Sequence, residues 1–282
     1  IPCIVRQALE SARFVSKDPA LHEQLLRHIL ALLARMDMTL PPPFVGQIIH
    51  RELHRITGVD DPYREAKERF NHLAAEMLPW LRQMIDRSSD PLFLAARIAI
   101  AGNIIDLGIN GALSEAEAGR SMEEALTQPL NGDWELLRSE IPQAKRILYI
   151  ADNAGEIFFD RLLIERLPLE RVTLAVRGRP ILNDATREDA RCAGLDAMVA
   201  VIDNGSDAPG TILADCSTGF VRTFKAADLI LAKGQGNFET LSEELAPIFF
   251  LFKAKCPVIA AHAGVEQGAL VVLRSKLPGK KG

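Results

Sequence analysis

From residue 146 onward, strand-length apolar runs alternate with segments of helical period. The predicted strands are Ile147–Ala151, Val172–Val176, Met198–Val201, Leu229–Ala232 and Val258–Ala261, with Leu270–Leu273 as a weaker sixth. Helical patterns lie between several of these runs, for example over residues 185–193. Because strands that alternate with helices usually pair in parallel through crossover connections, this pattern predicts an α/β fold with a Rossmann-like, mostly parallel sheet and flanking helices.

The preceding part of the chain has a helical period instead. Apolar residues recur at helical spacing over residues 20–36, 44–57 and 63–87, and residues 91–105 are apolar on nearly every side. A helix that is apolar all round is usually buried. We therefore predict an all-helical amino-terminal domain over residues 1–135 and a Rossmann-like α/β domain over residues 136–282, which carries the functional site.

Composition limits the classes of function. Of the 282 residues, 48% are hydrophobic and 25% charged, as in ordinary globular proteins. The net charge of −4 gives no electrostatic basis for binding nucleic acid or an anionic membrane. No apolar stretch approaches the roughly 20 residues that span a bilayer. Four scattered cysteines do not resemble a disulfide scaffold, so we expect a cytoplasmic protein, of an oligomeric state that the sequence leaves open.

The strongest candidate site is the turn after the first predicted strand, Asp152-Asn153-Ala154-Gly155-Glu156. Open parallel sheets bind ligands at the carboxyl ends of their strands. Asp152 and Asn153 supply oxygen donors of the kind that hard cations prefer, and Gly155 allows the backbone to approach a ligand closely. The same string also suits a helix start, because Asp and Asn cap helices and Glu156 stands at a capping-box position.

The turn after the second predicted strand carries Arg177, Arg179, Asn183 and Asp184. Since this turn follows a neighbouring strand, Asp184 and Asp152 can lie around one cation. Asn183 or Asp184 can equally be a helix cap. Arg177 and Arg179 either bind phosphate or face solvent.

The turn after residues 229–232 reads Lys233-Gly234-Gln235-Gly236-Asn237. Lys233 is placed to reach a phosphate as a point charge, and the two glycines allow backbone N–H groups to turn toward an anion. The spacing is neither that of a Walker loop nor that of a dinucleotide-binding glycine motif. Three polar strand ends at one sheet edge favour a metal and phosphate site over three unrelated helix caps.

One further polar pair, Asn103 and Asp106, interrupts an apolar helical segment. The two residues are three positions apart and therefore share a helix face. Burying an acid and an amide together requires hydrogen-bond partners. The pair is either a structural one or lines a cleft between the two domains.

Five strings, in order, resemble motifs of the damage-control phosphatase family, also known as domain of unknown function 89. They are Ile1-Pro-Cys-Ile-Val-Arg-Gln7, Gly102-Asn103-x-x-Asp106, Asp152-Asn-Ala-Gly-Glu156, Asn183-Asp-Ala-Thr186 and Lys233-Gly-Gln-Gly-Asn237. The likeness covers nearly the whole chain and is greatest for the stand-alone prokaryotic branch, whose amino terminus carries a Cys-x-x-Cys pair. Cys3 would be the second cysteine of that pair, with the first preceding Ile1.

The resemblance implies a helical domain packed on a Rossmann-like domain, and a divalent cation, Mn²⁺ or Mg²⁺, with other transition metals as alternatives. The implied roles are those of metal ligand for Asp152, Asn153 and Asp184, of phosphate-binding lysine for Lys233, and of a cleft-lining pair for Asn103 and Asp106. The family removes phosphate from small phosphorylated metabolites, including sugar phosphates and phosphorylated cofactor fragments.

Together, these observations predict a metal-dependent phosphatase that hydrolyses small phosphomonoesters by positioning and charge neutralisation. The catalytic residues in this hypothesis are Asp152, Lys233 and Asp106, and the substrate-binding residues are Asn103, Asp106, Lys233, Gly234, Asn237 and Arg177. The attacking oxygen comes either from a water activated by the cation or from a carboxylate such as Asp152.

Two alternatives use the same residues differently. One is a non-catalytic protein that binds a metal and a phosphorylated metabolite in the same pocket. The other is a methyltransferase-like domain acting on protein carboxylates, which requires a glycine-rich first turn and an acid at the end of the second strand. The turn Asp152–Glu156 is poor in glycine and the second strand ends at Arg177, so we rank this alternative last.

Overall fold

The computed structural model describes residues 2–37, 39–102 and 115–276 of the chain. Its first part is helical, as the sequence predicted, with α1 Pro2–Val15, α2 Pro19–Leu33, α3 Pro42–Thr57, α4 Arg64–Asp86, α5 Pro91–Ala101 and α6 Glu115–Thr127. Local signals set several of these ends. Asp18 caps α2, since its carboxylate accepts the Ala20 N–H at 2.9 Å, and α3 ends at Gly58, whose φ of 69° is left-handed.

The second part of the described chain forms one seven-stranded sheet in the order β1-β7-β6-β5-β2-β3-β4. The strands are β1 Leu130–Gly132, β2 Ile147–Ile150, β3 Val172–Val176, β4 Ala200–Asp203, β5 Leu229–Lys233, β6 Ile248–Lys253 and β7 Leu270–Arg274. The accompanying helices are α7 Trp134–Glu140, α8 Glu156–Ile164, α9 Arg187–Cys192, α10 Thr218–Ala226, α11 Gln235–Leu241 and α12 Pro257–Ala263. All neighbouring strands are parallel except β6 and β7, which confirms the predicted Rossmann-like, mostly parallel sheet.

One predicted strand is wrong. Residues 258–261 lie inside α12, and the strand of that region is β6, ten residues earlier. A short apolar run fits a buried helix as well as a strand, so its period alone does not decide between them. Pro257 occupies the first turn of α12, where its missing N–H costs nothing and its fixed φ favours helix. The phenylalanine-rich run of β6 is the one that the sheet buries on both faces.

The buried apolar side chains of the described residues form three clusters. One covers one face of the sheet and includes side chains from α4, α5, α6 and α8. A second covers the other face with α10, α11 and α12. The third is built from α1, α2 and α3 alone. The predicted helical region therefore contributes to two separate cores, and β1, at residues 130–132, already belongs to the sheet. The domain boundary at residue 135 stays a prediction.

The helices α1–α3 are tied to the sheet edge by a polar clamp on α3. Arg51 Nη2 lies 2.6 Å from Asp207 Oδ1 and 3.1 Å from Asp215 Oδ1. Gln47 Nε2 donates to the same two carboxylates, at 2.7 Å each. Close backbone approach accompanies these bonds, because a Cβ on Gly46 would lie 3.2 Å from the Pro209 ring. The clamp, defined as Arg51, Gln47, Asp207 and Asp215, therefore sets where the first three helices lie.

No helix within the described ranges combines the length and apolarity needed to cross a bilayer.

We expect the Arg51→Ala variant to lower the free energy of unfolding by about 1 kcal/mol, since the side chain is 50% exposed and the pairs are only partly desolvated. The loss should shrink at high salt, which screens exposed charges. Urea unfolding at low and high salt measures both effects. The matched control is Arg27→Ala, which removes an exposed pair with Glu23 inside α2. Equal losses in the two variants would show that the clamp contributes nothing.

Candidate active site

The three polar turns predicted from the sequence do meet at one edge of the sheet. Strand β2 pairs with β3 on one side and with β5 on the other, so the turns after these strands are neighbours. The first two turns are joined directly. Asn153 and Asp184 form an isolated antiparallel bridge, and the Ala185 N–H donates to the Asp152 carbonyl at 2.8 Å. Asp152 and Asp184 therefore lie side by side, as the hypothesis requires.

These two turns line a cleft of about 400 Å³. Asp152, Asn153, Asn183 and Asp184 lie on one wall with Gln235, Gly236, Glu239 and Lys255. The facing wall comes from the helical region, through Gln7, Glu10, Phe14, Pro42, Pro43, Gly46 and Tyr63. The volume is that of a pocket for a small metabolite. The candidate site thus lies between the helices α1 and α3 and the carboxyl edge of the sheet.

Burial and repulsion from neighbouring acids dominate the electrostatics of Asp152. Asp152 and Asp184 are 8% and 3% exposed. Burial raises the pKa of Asp152 well above its usual value, and the charges of Asp184 and Glu156 raise it further. Arg177 and Lys255 oppose this shift in the pKa of Asp152. A divalent cation between two buried carboxylates would relieve their repulsion, so this pair suits one.

The amide of Asn153 is oriented to complete such a site. Its Nδ2 donates to Asp152 Oδ2 at 2.9 Å and to Glu156 Oε2 at 3.0 Å, which uses both amide protons. Its Oδ1 is therefore the atom that can coordinate a cation. Within the described residues, this site included, no three or more His, Cys, Asp or Glu side chains gather as a metal site, so the candidate set needs the amide as its third donor. Two carboxylates and one amide are the donor set that fits Mn²⁺ or Mg²⁺ here.

Lys233 lies behind the cleft and not in it. Its side chain is fully buried, and Nζ donates to Glu156 Oε1 at 2.7 Å, Asp160 Oδ1 at 2.6 Å and the Ala99 carbonyl at 2.8 Å. An ammonium has three protons, and all three are used by protein acceptors. Direct contact between Lys233 and a phosphate stays a prediction, and in this structure its protons go to the neighbouring acids and a backbone carbonyl.

Two other predicted substrate-binding residues are also buried. Arg177 Nε donates to Asp184 Oδ2 at 2.6 Å, and Nη2 lies 3.5 Å from Asp152 Oδ1. Asn237 donates to the Lys233 carbonyl at 2.7 Å and accepts from Thr211 Oγ1 at 2.7 Å. Both side chains therefore hold the cleft wall in place from inside. The remaining predicted pair, Asn103 and Asp106, lies outside the described residues.

The contact that requires glycine at position 234 is with the side chain of Asp152. Its φ is 80°, and a Cβ added to it would overlap the Asp152 carboxylate. Its own N–H donates to the Leu251 carbonyl at 3.0 Å, within the sheet. Glycine is needed here because the backbone of β5 ends against the side chain of Asp152.

Two residues that the sequence analysis missed contribute to the site. Lys255, which follows β6, is the basic side chain of the described chain that lines this cleft. Asn71 of α4 accepts the Gly155 N–H at 2.7 Å through Oδ1 and donates to Asp189 Oδ1 at 2.8 Å through Nδ2. Lys255 had a usable signal, a strand followed by a basic residue, but the strand was predicted in the wrong place. Asn71 had none, since a single amide in an amphipathic helix is common.

Comparison with known proteins shows the family of the chain. The model of the damage-control phosphatase ARMT1-like domain matches residues 1–271. The chain belongs to this family. A damage-control phosphatase of Archaeoglobus fulgidus is 37% identical over 276 residues, covering 95% of each chain. One of Pyrococcus horikoshii is 35% identical over 282 residues, covering 98% of this chain and 96% of the relative. These names support a phosphatase role at the level of the family.

A solved structure has the same fold as this chain. The chain is similar to a crystal structure of a protein of the DUF89 family from Pyrococcus horikoshii, with a TM-score of 0.88 and 36% identity. The match covers 98% of this chain and 97% of that one. An uncharacterized protein of Methanocaldococcus jannaschii is 36% identical over 288 residues, covering 96% of this chain and 93% of its own. The fold and the whole length are thus shared.

We expect Gly234→Ala to displace the Asp152 carboxylate and to weaken Mn²⁺ binding by about 10-fold or more, with about 1–3 kcal/mol lost from the free energy of unfolding. Isothermal titration calorimetry and urea unfolding measure the two quantities. The control is Gly264→Ala, whose φ of 69° is similar but whose added Cβ would meet nothing within 4 Å. It should lose stability and keep Mn²⁺ affinity. Unchanged Mn²⁺ binding in Gly234→Ala would contradict this assignment.

Proposed function

We propose that this protein is a metal-dependent phosphatase that hydrolyses small phosphomonoesters. The observation that carries the proposal is the pair of repelling, buried carboxylates, Asp152 and Asp184, at the wall of a metabolite-sized cleft. Membership of the damage-control phosphatase family supports the same reaction class. Sugar phosphates and phosphorylated cofactor fragments are the substrates of the size that the cleft accepts.

Asp152, Asn153 and Asp184 would hold the divalent cation, Mn²⁺ or Mg²⁺. When bound, it supplies positive charge against the phosphoryl oxygens, whose charge must be neutralised for transfer. Arg177 keeps Asp184 in place, since its Nε bond at 2.6 Å fixes one carboxylate oxygen.

We assign the phosphate-binding charge to Lys255 instead of Lys233. Lys255 lines the cleft, and its positive charge acts to lower the pKa of Asp152. The backbone of Lys255 is held in place, because its N–H donates to Gln235 Oε1 at 3.2 Å. An ammonium at the cleft wall attracts the phosphate as a point charge without burying itself.

The opposite wall selects the rest of the substrate. Phe14, Tyr63 and the prolines 42 and 43 give it apolar surface, while Gln7 and Glu10 give it hydrogen-bonding groups. Such a mixed wall suits a polyol or amide chain better than a second phosphate. The attacking oxygen comes from water or from Asp152, and trapping a phosphoaspartate under single turnover distinguishes the two.

A metal-by-substrate screen tests the proposal, with Asp184→Asn as the inactive variant. Asparagine keeps an acceptor for Arg177 but loses one anionic ligand, so kcat/KM should fall by about 100-fold or more, equivalent to about 2.7 kcal/mol. Released phosphate is measured with Mn²⁺, with Mg²⁺ and after chelation. Asp203→Asn is the control, since Asp203 ends β4 and pairs with Arg187 at 2.7 Å on the surface. Metal binding without phosphate release from any substrate would favour the non-catalytic binder.

Lys255→Met should raise KM for phosphomonoesters by about 10-fold, equivalent to about 1.4 kcal/mol, because one charge facing the phosphate is lost. Mn²⁺ affinity should change little. Lys253→Met, two residues earlier at the end of β6, is the matched control and should keep the wild-type KM. Steady-state kinetics and calorimetry provide these values. An unchanged KM in Lys255→Met would remove this lysine from the site.

A further inference from the structure

We propose that Lys233 and Glu156 form a buried relay that orients the Asn153 amide for the cation. Both are positioning residues, and neither touches the substrate. The inference rests on the proposed metal site and assigns to Lys233 a task different from phosphate binding. It follows from the hydrogen bonds, the burial and the charges of three side chains.

The first step concerns which atom of Asn153 faces the cation. An amide presents an oxygen on one branch and a nitrogen on the other, and only the oxygen coordinates a metal. A half-turn of the side chain would exchange the two atoms. Glu156 and Asp152 oppose that exchange together, because Glu156 Oε2 accepts one Nδ2 proton of Asn153 at 3.0 Å and Asp152 Oδ2 accepts the other at 2.9 Å. A carboxylate has no proton to offer to the amide oxygen, so the turned amide would lose both bonds.

The second step concerns what pairs with Glu156 and holds it in place. The side chain is 2% exposed, and a buried carboxylate requires a partner. Lys233 Nζ supplies it, at 2.7 Å from Oε1. Lys233 thus binds one oxygen of Glu156 while Asn153 binds the other. The ammonium therefore fixes the position of the carboxylate, and the carboxylate in turn orients the amide.

The third step concerns the anchoring of Lys233 itself. Its Nζ also donates to the Ala99 carbonyl of α5 at 2.8 Å and to Asp160 Oδ1 at 2.6 Å. Asp160 in turn accepts the Tyr149 hydroxyl proton at 2.7 Å. Asp160 stands one helical turn after Glu156 on α8 and binds the same ammonium, but has no hydrogen bond to Asn153 among the described residues. It is therefore a matched control within the same network.

The primary experiment compares Glu156→Gln with Asp160→Asn. Each variant is isosteric and leaves one buried lysine against one buried acid. In Glu156→Gln, the glutamine oxygen should face Lys233, since a donor against a buried ammonium costs more than a donor against an amide. Its nitrogen then faces Asn153 Nδ2, so this bond is lost and only the bond to Asp152 Oδ2 still holds the orientation of the Asn153 amide. We expect Mn²⁺ affinity of the metal-free protein to fall by about 10–100-fold in Glu156→Gln and by less than about 3-fold in Asp160→Asn.

The double variant Asn153→Asp with Glu156→Gln tests the orientation directly. Aspartate carries an oxygen on both branches, so it cannot be turned wrongly, and the glutamine nitrogen can donate to it. The exchange also conserves net charge. Relative to Asn153→Asp alone, the added Glu156→Gln should cost no Mn²⁺ affinity. A ligand role for Glu156 predicts a loss in both backgrounds.

Isothermal titration calorimetry of the metal-free proteins measures Mn²⁺ affinity, and thermal unfolding followed by circular dichroism checks that each variant folds. Wild-type affinity in Glu156→Gln, or an equal loss in Asp160→Asn, would overturn the relay. If Glu156→Gln does not fold alone, a loss of Mn²⁺ affinity on adding this change to Asn153→Asp still overturns the relay. A wild-type protein that binds neither Mn²⁺ nor Mg²⁺ would refute the proposed metal site as well. If the wild-type protein binds Mn²⁺ but Glu156→Gln costs the same affinity with Asn153 as with Asp at position 153, the relay alone is refuted.

Discussion

Buried charge at the carboxyl edge of the sheet has to be compensated inside the protein, and the arrangement of the site depends on how this is done. Arg177 holds Asp184 at 2.6 Å, while Lys233 holds Glu156 and Asp160 at 2.7 and 2.6 Å. A buried charge that loses its partner costs roughly 3–5 kcal/mol, so these pairings constrain every turn at this edge. Arg177 and Lys233 are therefore paired with acids of the protein, so positive charge in the cleft has to come from other groups.

The helical region takes part in this arrangement directly. The Ala99 carbonyl of α5 accepts a proton from Lys233, and Asn71 of α4 accepts the N–H of Gly155 in the first turn. Both helices share a hydrophobic core with the sheet, whereas α1–α3 have a core of their own. The floor of the cleft is thus built jointly by helices and sheet, and its facing wall is carried by a separately packed group of helices. This separation places substrate selection and the proposed metal site on different cores.

The alternation of periods was enough to predict a helical first part and a mostly parallel sheet, because period follows from how side chains point in each element. It was not enough for residues 258–261, where a short apolar run was assigned to a strand and the structure has α12. That error hid Lys255, which follows the true strand β6. The approach of Asp152 and Asp184 was predictable, since both follow neighbouring parallel strands. The direction of Lys233 and Arg177 was not, because residue type shows a charge and not its partner.

The sequence by itself determined the fold class, the three polar strand ends and the candidate metal ligands Asp152, Asn153 and Asp184. The fold class and the strand ends follow from local period and from the rule that parallel strands end at a common edge, whereas the set of three ligands is what the resemblance to the damage-control phosphatases implies. Only the tertiary structure decided which charges face the cleft and which are buried behind it. Lys233 ends β5 and Lys255 follows β6 of the same sheet, yet Lys233 is enclosed by acids from α8 and Lys255 lines the cleft. The reason is physical: a lysine takes its role from the acids that packing brings to it, and those acids lie far away in the sequence.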